Sequence, residues 1–126
     1  MLRIEHFTKT YGAKTAVDDL SLHIAPGEIF GFIGHNGAGK TTTLKACCGI
    51  LRFHQGEIFV AGHSIQKEPL ACKRELAYIP DNPDLYECLT RRQYVNFVAA
   101  VYGETQADRT ARIRKYVALL GMTADL

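Results

Sequence analysis

The residues Gly34-His35-Asn36-Gly37-Ala38-Gly39-Lys40-Thr41 follow the pattern G-x-x-x-x-G-K-S/T. Each residue type in that pattern suits the binding of a polyphosphate. Glycines let the main chain adopt positive φ and come close to an anion. Successive N–H groups then converge on phosphate oxygens. A helix starting near Lys40 adds its positive N-terminal end. The Lys40 ammonium can reach β and γ phosphates, and the Thr41 hydroxyl is a hard oxygen suited to Mg2+. Thr42 is placed to hydrogen-bond an α phosphate, whereas Thr43 reads as helix surface and His35 occupies a variable position. With glycine at about 7% of residues, a chance match in a chain this long has odds on the order of a few per thousand. The loop is therefore read as a nucleoside triphosphate site.

Such a loop needs a strand before it and a helix after it. Residues 28–33 (Glu-Ile-Phe-Gly-Phe-Ile) form a nearly continuous apolar run, as expected of a central strand covered on both faces. Leu44, Cys47, Cys48 and Leu51 fall at helical spacing and predict a short amphipathic helix. Upstream, residues 2–7 and 20–24 alternate apolar and polar like half-buried strands, and Pro26-Gly27 ends the second. Residues 57–60 and 76–79 read as further strands, and residues 80–84 as a turn.

The character changes beyond that turn. Thr90 and Gln93 form a capping-box pattern ahead of a helical face made by Tyr94, Phe97, Val98 and Val101. Arg91 and Arg92 in its first turn oppose the helix dipole, so packing or a partner must decide this helix. A last helix is predicted over 108–120, with Ile113, Tyr116, Val117 and Leu120 on one face and Gly121 as its cap. Arg109, Arg112, Arg114 and Lys115 make a basic cluster, read as a solvated face or a contact with anionic lipid or a partner. The pattern is an α/β core followed by a helical appendage from about residue 82.

Composition narrows the class. The chain has 126 residues, 47% of them hydrophobic, and a net charge of +2, which excludes a disordered tail. No apolar run approaches the ~18 residues of a membrane helix. A pI near 8.4 is far from a nucleic-acid-binding stripe, so no nucleic acid is expected. Residues 1–6 show no secretory apolar region, which makes the cytoplasm the expected location. Cys47, Cys48, Cys72 and Cys88 lack ligand spacing and read as free thiols.

The loop with Thr42 resembles the Walker A motif of ATP-binding cassette (ABC) transporter subunits. Thr8-Lys9-Thr10-Tyr11-Gly12 is similar to the upstream segment in which these subunits carry an adenine-stacking aromatic, at the position of Tyr11. The stretch from Val17 to Ile29, then Gly49-Ile50-Leu51-Arg52, Gln55-Gly56-Glu57-Ile58, Gly62, Tyr78-Ile79-Pro80, Leu85-Tyr86, Leu89-Thr90 and Val101-Tyr102-Gly103 extend the resemblance over the whole chain. It implies the P-loop NTPase core of an ABC nucleotide-binding domain over 1–81, with its central P-loop strand and helix, and the start of the helical subdomain over 82–126. It implies a nucleotide site of Tyr11, Gly34, Asn36, Gly37, Ala38, Gly39, Lys40, Thr41 and Thr42 for ATP, with Mg2+ held near Thr41 and Asp81. Asp81 stands where the family has its Q-loop glutamine. Its carboxylate could hold a metal-bound water or only shape the turn.

The resemblance also implies partners: a transmembrane permease, and a second nucleotide-binding domain in the complete protein, at the inner face of the membrane. The family's signature sequence, its Walker B strand with the catalytic glutamate and its switch histidine are expected beyond Leu126. The chain is then a fragment with no catalytic residue of its own, and strand 28–33 lacks its Walker B neighbour. Two further readings stay open: a nucleotide-binding fragment without ATPase activity, and an ABC-type ATPase that serves no transporter.

Overall fold

The computed structural model describes residues 1–82, 86 and 88–122. Two compact units divide the chain, Met1–Ile79 and Pro80–Leu126.

The first unit is built on a four-stranded antiparallel sheet in the order β2-β1-β3-β4, made of β1 (Leu2–Tyr11), β2 (Lys14–Ile24), β3 (Gln55–Val60) and β4 (His63–Ser64). Helix α1 (Lys40–Cys47) and the short α2 (Pro69–Arg74) belong to the same unit. The expected strands at the N-terminus and at 57–60 are present. Leu20, Leu22 and Ile24 are half-buried and alternate with exposed Ser21 and His23, as their pattern requires.

β1 departs from strict alternation. Ile4 and Phe7 are both buried, although three residues apart they should face opposite ways. His6 takes φ 49 and the ladder to β2 slips between Ile4 and Phe7. This bulge rotates Phe7 back onto the core face. Across the ladder Asp19 takes φ 45. The two strained residues are tied together: His6 N–H donates to Ser21 Oγ (3.0 Å), Asp19 N–H to Thr8 Oγ1 (2.9 Å), and His6 Nδ1 lies 2.8 Å from Asp19 Oδ1. On the other side β3 makes room with Gly56, at φ 89. A Cβ there would lie 2.5 Å from the His6 carbonyl oxygen.

The core lies between this sheet and the helices. Ile4, Phe7, Ile58 and Val60 meet Ala46 and Cys47 of α1, Cys72 of α2, Phe53 and Ile65. Phe7 and Phe53 pack edge to face with centroids 5.1 Å apart. Cys72 donates its S–H to the His63 carbonyl at 3.2 Å.

Two expected strands are absent. Residues 28–33 and 76–79 join no ladder, and Ile29 and Ile33 are 100% and 94% exposed. A central strand is stable only between neighbours that cover its backbone and both faces. The sheet β2-β1-β3-β4 supplies neither segment with such a neighbour.

In the second unit, α3 (Arg91–Val101) begins at the predicted capping box. Thr90 Oγ1 accepts from Gln93 N–H at 3.3 Å, and Gln93 Oε1 accepts from Thr90 N–H at 2.9 Å. α4 (Gln106–Leu119) starts two residues earlier than predicted, because Thr105 caps it and accepts from Asp108 N–H. Gly121 closes it at φ 66, with Met122 N–H bonded to the Val117 carbonyl. Tyr86 packs against Tyr94 and Phe97, yet neither helix has a fully buried residue. Of the turn predicted over 80–84, Pro83 and Asp84 lie outside the described residues, as does Leu85.

Gly56 and Gly62 share φ near 90, but only Gly56 faces a backbone wall. Gly56→Ala is expected to cost about 2–4 kcal/mol and Gly62→Ala about 1 kcal/mol, checked by urea unfolding. Equal losses would mean that the bulge yields instead.

Candidate nucleotide site

The loop runs from residue 34 to the start of α1, and one contact fixes where it ends. Gly39, at φ 84, is the N-cap of α1. A Cβ on it would fall 2.4 Å from the Ala16 carbonyl oxygen and 2.8 Å from Val17 Cγ2. Only glycine allows α1 to begin this close to β2. Gly37 also takes positive φ, at 85. At the mouth of the loop Gly34 stands tight against Ala38: a Cβ on it would lie 3.2 Å from the Ala38 Cβ.

The N-terminus of α1 is left open. No side chain caps it and no acidic residue occupies its first turn. The orphan N–H groups and the positive end of the helix dipole therefore have no cap and no first-turn carboxylate to offset them. Lys40 folds back over the loop, donating from Nζ to the carbonyl oxygens of Gly34 (2.5 Å) and His35 (2.8 Å). Ala38 N–H closes an inner turn on His35 O at 3.2 Å, and His35 Nδ1 lies 2.9 Å from Asn36 O. Thr41 is exposed and Thr42 half-buried at the same end of the helix.

Thr43 corrects its sequence reading. It is 3% exposed, not helix surface, and its hydroxyl and N–H both donate to the Gly39 carbonyl, at 3.0 and 2.9 Å. The buried face of α1 is Thr43, Ala46 and Cys47, and Leu44, expected inside, is exposed. The loop docks the helix through its small residues, and this rotates the larger Leu44 outward.

Tyr11 is the last residue of β1, paired with Lys14 and half-exposed. The Ala16 and Val17 that receive Gly39 lie two and three residues further along β2. The hairpin end that carries Tyr11 thus adjoins the loop. Lys9 Nζ sits 5.1 Å from the Tyr11 ring centroid and donates to the Arg52 carbonyl at 2.8 Å. Asp81 is exposed in the second unit. Among the described residues no three His, Cys, Asp or Glu side chains gather to hold a metal ion.

The profile for ABC transporters matches residues 17–125. The chain belongs to the ABC transporter family. It is 36% identical over 124 residues to the uncharacterised ABC transporter ATP-binding protein YhcH of Bacillus subtilis, covering 98% of this chain and 39% of that protein. It is 35% identical over 123 residues to the linearmycin resistance ATP-binding protein LnrL of the same organism, covering 98% and 40%. The human phospholipid-transporting ATPase ABCA7 is 36% identical over 125 residues, 6% of its length. The chain thus spans about two-fifths of the bacterial relatives' length.

Among solved structures, the ATP-binding subunit of an ABC transporter superposes with TM-score 0.86 at 32% identity, over 93% of this chain and 49% of that one. The cassette MJ0796, in a post-hydrolysis dimer bound to ADP and Pi, superposes with TM-score 0.78 at 21% identity, over 91% and 55%. The fold is the N-terminal portion of the P-loop α/β nucleotide-binding cassette.

The loop and the helix after it lie where the sequence predicted them, but Tyr11 ends a strand longer than the predicted 2–7, and the docking surface on β2 was not predicted. The only signal for it was the small residue Ala16 beside Val17 in an exposed strand. α2 and β4 were missed as well, although Pro69 at a first helical position marks α2.

Cys47 lies against the core on α1. Burial, with the neighbouring Cys48 adding to it, pushes its thiol up to about 12. Because the unfolded thiol titrates lower, stability from this group is complete below pH 9 and falls as the pH rises toward 12. Cys47→Ala is expected to flatten that alkaline decline in urea midpoints. In native protein at pH 8, thiol labelling should reach exposed Cys88 first and leave Cys47 and Cys72 until unfolding.

Proposed function

We propose that the chain binds ATP with Mg2+ and is part of the ATP-binding subunit of an ABC transporter. The observation that carries this reading is the open, acid-free N-terminus of α1, held on β2 by Gly39, with Lys40 poised over the loop. In this reading residues 1–81 are the core and residues 82–126 the start of the helical subdomain.

The backbone N–H groups of Gly34, Asn36, Gly37 and Gly39 wrap the β phosphate, joined by that of Ala38 when it leaves the His35 carbonyl. Lys40 exchanges its two carbonyl acceptors for oxygens of the β and γ phosphates. Thr42 bonds the α phosphate, and Tyr11 stacks its ring on the adenine. Thr41 would offer its hydroxyl to the metal, and the family resemblance would give Asp81 a water on that metal. Magnesium, when bound, neutralises charge shared between the β and γ phosphates. Hydrolysis in the complete protein requires groups that position water and stabilise charge. In this reading the Walker B glutamate and switch histidine of the complete protein position the water, the signature sequence of a second nucleotide-binding domain adds charge stabilisation, and a permease at the inner face of the membrane is coupled to them. No helix among the described residues is long and apolar enough to cross a membrane.

Binding of ATP by titration calorimetry tests this reading. Lys40→Ala is expected to weaken ATP binding about 10- to 100-fold, the loss of charge-assisted hydrogen bonds. Tyr11→Ala should cost about 1–3 kcal/mol and Tyr11→Trp little. ATP affinity unchanged by Lys40→Ala would sink the proposal. Asp81→Asn is expected to weaken Mg-ATP binding more than binding of ATP without Mg2+; equal effects would assign Asp81 to its turn. Binding without turnover would identify the chain as the phosphate-binding part alone.

A further inference from the structure

The second unit carries arginines that the nucleotide site does not use. Arg92 and Asn96 stand one turn apart on α3, while Gln106, Arg109, Thr110 and Arg114 recur along one face of α4. All six line a single cleft of about 430 Å³. At 1.5 Å per residue, Arg92 lies about 14 Å from the end of α3 and Arg114 about 12 Å from the start of α4.

Among the described residues no carboxylate lines the cleft. The acids nearest in sequence are engaged elsewhere. Glu104 pairs with Arg112 at 2.7 Å, and Asp108 accepts from the Thr105 hydroxyl at 2.6 Å. Arg92 and Arg114 have no counter-charge among the described residues. Arg109 donates from Nη2 to the Glu104 carbonyl at 3.1 Å and also lines the cleft. Arg92 also stands in the first turn of α3, where no acidic residue offsets the positive helix end. Among the described residues, positive charge thus stands unneutralised where the start of α3 opposes it.

We propose that this cleft binds a phosphate-bearing ligand. A tetrahedral phosphate presents enough oxygens to engage several guanidinium forks at once, whereas one fork already satisfies a carboxylate. Asn96 and Gln106 add neutral donors. The Thr110 hydroxyl proton is committed to the Gln106 carbonyl at 2.8 Å, so Thr110 offers an acceptor to a ligand hydroxyl. An anion beside Arg92 is also stabilised by the start of α3. The ligand is either a soluble phosphate monoester or the headgroup of an anionic phospholipid. The inference stands independently of the nucleotide site.

Two probes separate those sources: glycerol 3-phosphate titrated into isotope-labelled protein followed by NMR, and co-sedimentation with phosphatidylcholine vesicles with and without phosphatidic acid. Lys40→Ala removes the competing phosphate loop and is expected to leave cleft binding within twofold. Arg92→Gln/Arg114→Gln should weaken binding of whichever probe is captured at least tenfold. Arg92→Lys/Arg114→Lys keeps the charge and the helices but removes the forks, and should weaken it several-fold; it carries the test if the glutamine pair disturbs α3 by circular dichroism. Shifts at residues 91–114 with glycerol 3-phosphate identify a soluble ester. Sedimentation only with phosphatidic acid identifies a headgroup. Binding that disappears with Lys40→Ala and survives the arginine substitutions overturns the proposal, as does capture of neither probe.

Discussion

Everything in the nucleotide site hangs on the approach of Gly39 to the backbone of β2. The Ala16 carbonyl occupies the space any side chain at 39 would need. That single steric condition fixes the first turn of α1 against the sheet. It places the hairpin end bearing Tyr11 beside the loop. It also turns Thr43, Ala46 and Cys47 inward, since the face of a helix is set once its start and direction are fixed. The threonine hydroxyl and N–H, both bonded to the Gly39 carbonyl, hold the junction closed.

The sheet supplies a firm wall for this docking because its irregularities are mutual. His6 and Asp19 adopt conformations that cost about 1 kcal/mol or more each in an L-residue. They persist because each strained N–H finds a hydroxyl on the other strand and the two side chains meet at 2.8 Å. Gly56 completes the arrangement from the third strand. The return is Phe7 in the core, edge-on to Phe53, just where strict alternation would have exposed it.

Signals that act over three or four residues were legible in the sequence. The phosphate loop, the Thr90–Gln93 capping box and the glycine end of α4 appear where the residues predict them, because each is complete within its own segment. Features that depend on a distant neighbour were not legible. The run over 28–33 has the composition of a central strand but joins no ladder here. The inward turn of Phe7 depends on Gly56, far away in the chain. Leu44 fits the helical spacing of an apolar face, yet the smaller Thr43 is the residue buried, because the docking distance and not hydrophobicity chooses the face of α1. In the second unit, periodicity found both helices, but it could not show that arginines from each would share one cleft.

The grip of Lys40 on the Gly34 and His35 carbonyls bears on kinetics as well as on affinity. The ammonium already spans the loop, so the lysine side chain has given up much of its rotamer freedom before a ligand arrives. Were a phosphate to bind as proposed, its oxygens would displace neutral carbonyls from a charged donor, an exchange of hydrogen-bond partners with little rearrangement of the chain. Association through such a mouth would be governed by diffusion and steering of the anion rather than by loop closure. The residence time of the ligand would then be the quantity that sequence changes around the loop tune.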